Sequence, residues 1–251
     1  MAVPMPDYDE TAISAAGGGI GKSHYVRRVF SEIAPRYDLL NHVLSLNIDR
    51  RWRRDAIDAL HVERNSSGVY LDLCAGTMDV SRALATRAGF HGSILAADFA
   101  EPMLRAGHHK IGALRITPVA ADALRLPVAD KSMAGAIVAF GVRNVADLGG
   151  ALREAHRVLE PGGRLVILEF SVPRSRVVNA GYQFYFNRVL PVVGRFVSGH
   201  PTAYSYLPRS VATFPDRESL AARMRHAGFA GVEWKALTFG IAAIHVGQRA
   251  D

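Results

Sequence analysis

Five short apolar runs alternate with helical patterns between residues 68 and 170, and they constrain the fold more than any other feature. The runs are VYLDL (69–73), GSILAAD (92–98), ITPVAAD (116–122), AGAIVAF (134–140) and GRLVILEF (163–170). They hardly alternate between polar and apolar residues, which is typical of parallel strands covered by helices on both faces. Helical patterns occupy 79–88, 101–113 and 148–159. The sequence therefore predicts an α/β fold with a doubly wound sheet.

The pattern changes after the fifth run. An apolar stretch studded with arginines (176–198) is followed by a helical pattern near 216–227 and by GVEWKALTF (231–239) and IAAIHVGQR (241–249). The last two runs meet at Gly240 and predict an antiparallel hairpin. A seven-stranded, mostly parallel sheet that ends in such a hairpin is not the layout of dinucleotide dehydrogenases. It is the Rossmann-like layout of class I methyltransferases that use S-adenosylmethionine.

The N-terminal part predicts a leader and a helical lid. We expect residues 1–20, which end in glycines, to be flexible. Two helices should follow within 21–64, one before Pro35 and one with Asp49 as its N-cap. Residues 21–251 would then form a single methyltransferase domain.

The composition limits the cellular compartment and the kinds of disulfide or metal site that we expect. Cys74 is the only cysteine, which excludes an internal disulfide framework and a cysteine-rich zinc site. No His/Cys cluster suggests a metal, and we expect none. No run of 18 apolar residues or signal peptide is visible, so we expect a cytoplasmic protein.

The net charge of +7 is concentrated in one block. No Asp or Glu occurs from Ser171 to Pro215, a stretch with five arginines and eight aromatic residues. Residues 174–215 are therefore interpreted as an inserted helical substrate lobe whose arginines face anionic lipid, at the inner face of the cytoplasmic membrane. The alternative is an ordinary packing helix with a solvated basic face.

Acidic residues cluster where the strands end, at the edge where such sheets bind ligands. A phosphate-binding loop needs bare amides and a basic side chain, so these acids suit S-adenosylmethionine better. Asp98 can accept both ribose hydroxyls, Asp122 the adenine amino group, and the Ala123 amide can donate to a ring nitrogen. Asp72 or Asp79 can meet the methionyl ammonium. The alternative is that these acids are only N-caps and turn residues.

The turn CAGTM (74–78) has one glycine where dinucleotide-binding loops usually have three. We expect Gly76 to allow the one close approach that the methionyl group needs. Thr77 can be the helix N-cap or a cofactor ligand. Met78 is compatible with the loop if it has a helical φ as the first residue of the helix.

Several longer motifs resemble those of the ubiquinone/menaquinone biosynthesis C-methyltransferases, which methylate polyprenylated quinols. The motifs include YDLLN (37–41), DRRWR (49–53), LDLCAGTMDVS (71–81), FGVRNV (140–145) and EFSVP (169–173). The resemblance implies that Thr77, Asp98, Asp122 and Ala123 bind the cofactor. Met78 stands where the family usually has a third loop glycine, Asn47 replaces another usual glycine, and Ala139 stands where some members have serine.

The resemblance also implies a substrate. We expect demethylmenaquinol, with a 2-polyprenyl-6-methoxy-benzoquinol of ubiquinone biosynthesis or another lipid as alternatives. Our hypothesis is that Arg143 stabilises the phenolate and Asn144 orients the hydroxyl or a water, unless the pair merely caps a turn. Tyr37 and Asp38 would fold over the cofactor or end a helix. His245 would be a second proton acceptor or a structural residue.

Other function classes fit less well. A methyltransferase for sterols, phospholipids or small metabolites should lack the FGVRN and EFSVP motifs. A nucleic-acid-binding module is suggested by RRWRR (50–54), but neighbouring aspartates dilute that charge, and we expect no nucleic-acid partner. An NAD-dependent reductase is disfavoured by the single loop glycine. A homodimer is one of the oligomeric states that stay open.

Overall fold

The computed structural model describes residues 20–34, 45, 47–185, 188 and 210–250. One seven-stranded sheet dominates them, in the order β3-β2-β1-β4-β5-β7-β6. The strands are β1 (Val69–Leu73), β2 (Ser93–Asp98), β3 (Ile116–Ala120), β4 (Met133–Ala139), β5 (Leu159–Phe170), β6 (Phe229–Leu237) and β7 (Ala242–Arg249). The first five pair in parallel, and β7 is antiparallel to both β5 and β6. The predicted fold class is confirmed.

Seven helices of the described residues flank the sheet. They are α1 (Ile20–Ile33), α2 (Ile48–Ala59), α3 (Asp79–Ala85), α4 (Glu101–Gly107), α5 (Leu148–Val158), α6 (Arg176–Phe184) and α7 (Arg217–His226). The helix predicted over 101–113 is shorter than expected, because a separate 3₁₀ turn follows it at His108–Lys110.

The predicted N-cap of α2 is wrong. The cap is Asn47, in the left-handed conformation (φ 61°) that asparagine tolerates. Asp49 lies in the first turn instead, buried, where its carboxylate accepts hydrogen bonds from the Ser45 hydroxyl and from Arg53 at 2.5 and 2.7 Å. The carboxylate thus ties α2 together internally.

Alternate residues of the central strands pack into two separate cores. Val166 and Leu168 of β5 belong to the core on one face, and Leu165 and Ile167 belong to the core on the other. A strand that is buried on both faces has no polar side, which explains the unalternating runs. Parallel pairing also brings the carboxyl ends of β1 to β5 to one edge of the sheet.

Three parts of the predicted organisation lie wholly or largely outside the described residues. The leader at 1–20 falls there except for Ile20, and so do Tyr37 and Asp38 of the lid. Most of the lobe at 174–215 also falls there; 174–185, Arg188 and 210–215 are described. Within the described ranges, no helix is long and apolar enough to cross a membrane.

Candidate active site

The loop after β1 turns the chain into α3 within five residues. Cys74 (φ 57°), Gly76 (φ 55°) and Met78 (φ 63°) all have left-handed backbone conformations, although only one of them is a glycine. The Met78 amide donates to the Ala75 carbonyl at 2.8 Å and closes the turn. Each left-handed residue with a side chain costs about 1–2 kcal/mol, so surrounding contacts must hold this loop.

The helical φ that would make Met78 compatible with the loop is not observed, because the Met78 backbone is left-handed. Met78 is the N-cap of α3, and the regular helix begins only at Asp79, so the residue still belongs to the turn. The left-handed conformation favours glycine there. The Met78 side chain is fully buried, in the same core as Leu84. Because Met78 takes the cap position, Thr77 is not the N-cap; it is buried beside it, with 3% of its surface exposed.

Two glycines outside the loop let other elements approach it closely. A Cβ atom on Gly107, at the end of α4, would lie 2.2 Å from the Thr77 carbonyl oxygen. A Cβ atom on Gly141, after β4, would lie 2.3 Å from the Cys74 Cβ. Neither distance is sterically allowed, so both positions need glycine as they stand. The close packing around the loop therefore depends on glycines in neighbouring elements.

Asp98, at the end of β2, bridges the loop to the start of α4. One carboxylate oxygen accepts from the Gly76 amide at 2.9 Å, and the other accepts from the Ala100 amide at 2.8 Å. Burial raises the pKa of the carboxyl group, and the two amide hydrogen bonds oppose that rise. A carboxylate has about four lone-pair positions, so both oxygens can still accept from a ligand.

A cavity opens at this edge, and its lining combines apolar side chains with a few polar groups, as small-molecule cofactor sites do. It is lined by Phe30 of α1, by loop and strand-end residues Leu73, Cys74, Gly76, Ala97, Asp98 and Phe99, by Met103, by Ala121, Asp122 and Ala123, and by Ala139, Phe140, Gly141, Asn144, Val145 and Ala146. The structure therefore brings Gly76, Asp98, Asp122, Ala123 and Asn144 together, as the sequence analysis expected of a shared site. Burial raises the pKa of the Cys74 thiol well above its usual value.

Asp72 and Asp79 are not among the described residues that line the cavity. Asp72 lies beneath the loop, where one oxygen accepts from the Ser81 amide (2.9 Å) and the Ser81 hydroxyl (2.6 Å). Burial raises its pKa to about 7. Asp79 pairs with Arg53 (3.3 Å) and Lys110 (2.6 Å). Both carboxylates already bind α2, α3 or the turn after α4, and a contact of either with a ligand ammonium stays a prediction.

Arg143 is buried behind the cavity wall and pairs with Glu169. Its guanidinium lies 2.7 Å from a Glu169 oxygen and 5.5 Å from the centre of the Phe170 ring. Glu169 is only 2% exposed, so the pair is shielded from water. Asn144, the next residue, lines the cavity itself. Helix α1 reaches this segment through Lys22, whose ammonium donates to the Arg143 carbonyl at 2.8 Å.

His245 lies away from the cavity. It is on β7 opposite Ile167 of β5, and it is 2% exposed. Its Nε2 donates to the Arg217 carbonyl at 2.9 Å, and burial lowers its pKa, which keeps the ring neutral. This contact ties α7 to the sheet. A catalytic role for His245 is untested, as is one for Tyr37, which lies outside the described residues.

Comparison with protein families gives a match over residues 20–249 to the ubiE/COQ5 methyltransferase family. The chain belongs to this family. It is 49% identical to a demethylmenaquinone methyltransferase of Thermus thermophilus over 223 residues, 88% of this chain and all of the relative. It is 44% identical to a ubiquinone/menaquinone biosynthesis C-methyltransferase, UbiE, of Geobacter sulfurreducens, covering 91% of this chain and 90% of that one.

Solved structures agree with the fold of this ubiE/COQ5 family member. A methyltransferase of Thermotoga maritima, described as dependent on S-adenosylmethionine, has a TM-score of 0.61 and 17% identity, covering 88% of this chain and 98% of that one. The CurJ carbon methyltransferase has a TM-score of 0.54 and 18% identity, with 74% and 50% covered. At this identity the likeness shows the fold alone. The family membership makes the chain a methyltransferase that depends on S-adenosylmethionine.

Two residues of this methyltransferase's site were missed by sequence reasoning. Glu169 was quoted only as part of the EFSVP motif, and Lys22 received no role. The signal for Glu169 was available: an acid that ends an otherwise apolar strand must find a partner if it is buried. Nothing in the sequence around Lys22 indicates its contact with Arg143, because the two residues are 121 positions apart.

Proposed function

We propose that this methyltransferase transfers a methyl group to a ring carbon of a polyprenylated demethylmenaquinol and so forms menaquinol. The observation that carries the proposal is that Asp98 and Asn144 line one cavity, because the first suits a cofactor and the second a substrate hydroxyl. The name of the Thermus thermophilus relative supports the naphthoquinol. The Geobacter sulfurreducens name covers both quinones and supports the benzoquinol of ubiquinone biosynthesis as the alternative.

The lining fits S-adenosylmethionine. We place the ribose hydroxyls on Asp98, whose oxygens are fixed by two backbone amides and keep lone pairs for two more donors. Asp122 is exposed and holds the Leu124 amide at 2.9 Å, which fixes its carboxylate near the Ala123 amide for the adenine edge. Gly76 gives room for the methionyl group. When bound, S-adenosylmethionine supplies an electrophilic methyl group on a sulfonium.

The protein must then make the quinol ring a better nucleophile. Loss of a phenolic proton to water raises the electron density on the neighbouring ring carbon, which accepts the methyl group while the C–S bonding electrons stay on sulfur. That carbon's own hydrogen then passes as a proton, through water, to the phenolic oxygen, and the aromatic ring is restored. We assign the hydroxyl contact to Asn144, which lines the cavity. Arg143 lies behind it and stabilises the phenolate electrostatically, while Glu169 fixes the guanidinium. Arginine is not the base, because its guanidinium holds its proton too tightly to become the neutral form that could accept one.

The substrate lobe at 174–215 would receive the prenyl chain and bring the enzyme to an anionic membrane surface, at the inner face of the cytoplasmic membrane. The solvent exposure of its described part supports this: α6 is mostly exposed, and so are Arg174 and Arg176.

A methyl-transfer assay with short-chain quinols tests the proposed function. We expect methylation of a demethylmenaquinol, and Asp98→Asn should raise the KM for the methyl donor about tenfold or more, since it loses charged hydrogen bonds. Methylation of only a 6-methoxy-benzoquinol would establish the alternative. Methylation of neither would refute the proposal. Thermal shifts should appear with S-adenosylhomocysteine and not with NAD or an oligonucleotide.

A test of the proposed role of Arg143 requires a variant in which no buried charge is left without its partner. Arg143→Ala would strand Glu169, which costs stability by itself. The double variant R143Q/E169Q replaces both partners with neutral, hydrogen-bonding groups. We expect it to fold and bind S-adenosylhomocysteine, but to lower kcat about a hundredfold and to move its pH profile upward, as expected when a phenolate loses a positive neighbour. Unchanged kcat would leave the pair with a structural role only.

A further inference from the structure

Exposed apolar side chains gather at one edge of the molecule. Among the described residues, large hydrophobic side chains that are more than a third exposed occur at six positions. Five of these form what we call the apolar edge: Ile48, Val172, Val177, Phe184 and Phe239. The most exposed are Val177 at 83% and Phe239 at 82%. The sixth, Val69, starts β1 at the opposite end of the sheet.

Direct contacts hold the parts of the apolar edge together. The Ser171 hydroxyl donates to the Gly240 carbonyl at 2.6 Å, which joins the segment after β5 to the β6–β7 turn. The Trp52 indole donates to the Thr238 hydroxyl at 2.9 Å, which joins α2 to the same turn. Since β5 ends at Phe170, this is the edge of the sheet at which the cavity opens.

The β6–β7 turn presents Phe239 to solvent in a strained conformation. Thr238 and Phe239 are consecutive and both left-handed, with φ of 42° and 58°. Residues with side chains seldom adopt this conformation, and such strain concentrates at functional sites. Asparagine or glycine at these two positions would lower the conformational free energy of a turn that only faces water. The large exposed ring on a strained turn therefore indicates that Phe239 contacts a binding partner.

The charge around the apolar edge indicates what that partner is. Arg174, Arg176 and Arg188, which follow Val172 or flank Phe184 in the sequence, are exposed, and no acidic residue occurs from Ser171 to Pro215. Arg174 also lies 3.9 Å from Glu218 of α7. Val177 and Phe184 are seven residues apart and share one face of α6. Apolar side chains flanked by arginines match the acyl and headgroup layers of an anionic bilayer.

We infer that the apolar edge docks the enzyme on an anionic lipid bilayer, with Phe239 inserted among the acyl chains. The inference rests on the proposed function, because a polyprenylated quinol is dissolved in the bilayer. Docking at this edge turns the cavity toward the lipid, so the quinol ring reaches the methyl donor without crossing water.

Flotation with vesicles tests the inference on the full chain. The wild type should bind phosphatidylcholine vesicles that contain phosphatidylglycerol much better than vesicles of phosphatidylcholine alone. Phe239→Asn suits the left-handed backbone and should lower the partition coefficient about tenfold or more, the loss expected when one phenylalanine no longer inserts. Val69→Thr, at the opposite end of the sheet, should bind as the wild type does. A cooperative unfolding transition in each of the three proteins establishes that they are folded.

Two outcomes would overturn the inference. Phe239→Asn that binds anionic vesicles as tightly as the wild type would mean that another surface docks. A wild type that stays unbound would assign the apolar edge to a protein partner instead. A water-soluble short-chain quinol separates these outcomes from the proposed function: both proteins should methylate it at equal rates, while only the wild type methylates a long-chain quinol in vesicles efficiently. Failure with the soluble quinol would refute the proposed function and leave the vesicle result valid.

Discussion

Replacing Met78 by glycine and, separately, by alanine measures the cost of its left-handed backbone. Both variants lose a side chain that is fully buried, which should cost about 2–5 kcal/mol as for other large-to-small core changes. The two variants differ in backbone freedom and in the one Cβ methyl group that alanine keeps, and the Ala83→Gly control includes the same methyl difference. At φ 63°, alanine keeps a penalty of about 1–2 kcal/mol that glycine avoids. Glycine loses about 0.4–1 kcal/mol through its freer unfolded chain. Met78→Gly should therefore be the more stable variant by about 0.5–1 kcal/mol.

Urea unfolding followed by circular dichroism measures this difference, and Ala83→Gly within α3 is the matched control. At that helical position glycine should be less stable than alanine by about 1 kcal/mol, so the sign reverses between the two sites. Because the Met78 side chain packs in the core and not against the cavity, both Met78 variants should bind S-adenosylhomocysteine within about threefold of the wild type, a change below 1 kcal/mol. A Met78→Ala variant at least as stable as Met78→Gly would refute the reasoning.

Two further predictions follow from burial and close contact. Burial raises the pKa of Asp72 from 3.8 to about 7, so its stabilising contribution is complete below pH 4 and is lost as the pH rises through 7. The urea midpoint of Asp72→Asn, minus that of the wild type, should therefore increase from pH 5 to pH 8. A difference that stays constant over this range would contradict the prediction. Gly107→Ala places a Cβ atom 2.2 Å from the Thr77 carbonyl and should cost about 1–3 kcal/mol and weaken S-adenosylhomocysteine binding. At the control position Gly181 in α6, an added Cβ atom meets nothing within 4 Å, so Gly181→Ala should be neutral or stabilising. Thermal unfolding measures the stability of both glycine variants.

The sheet was predictable because its signal is local. VYLDL coincides with β1, because a strand buried on both faces is mostly apolar. The hairpin runs, which meet at Gly240, fall on β6 and β7. The positions of Asp98 and Asp122 followed from the same rule, as strand ends of a parallel sheet meet at one edge.

The contacts of the site were not predictable in the same way, because they depend on distant partners. Glu169 and Arg143 are 26 residues apart, and only the packing of β5 beside the turn after β4 pairs them. Asp72 ends a strand just as Asp98 does, yet its carboxylate turns inward to Ser81. The left-handed φ of Met78 had no local signal either, since methionine does not favour that conformation.

The single cysteine gives the cavity a built-in chemical reporter. Cys74 lines the cavity, and its raised pKa keeps it a slowly reacting thiol. Since the chain contains no other cysteine, any labelling by a maleimide takes place inside the cofactor site. The labelling rate then reports how accessible the Cys74 thiol is, and its suppression by a bound ligand measures occupancy of the site without any methyl transfer.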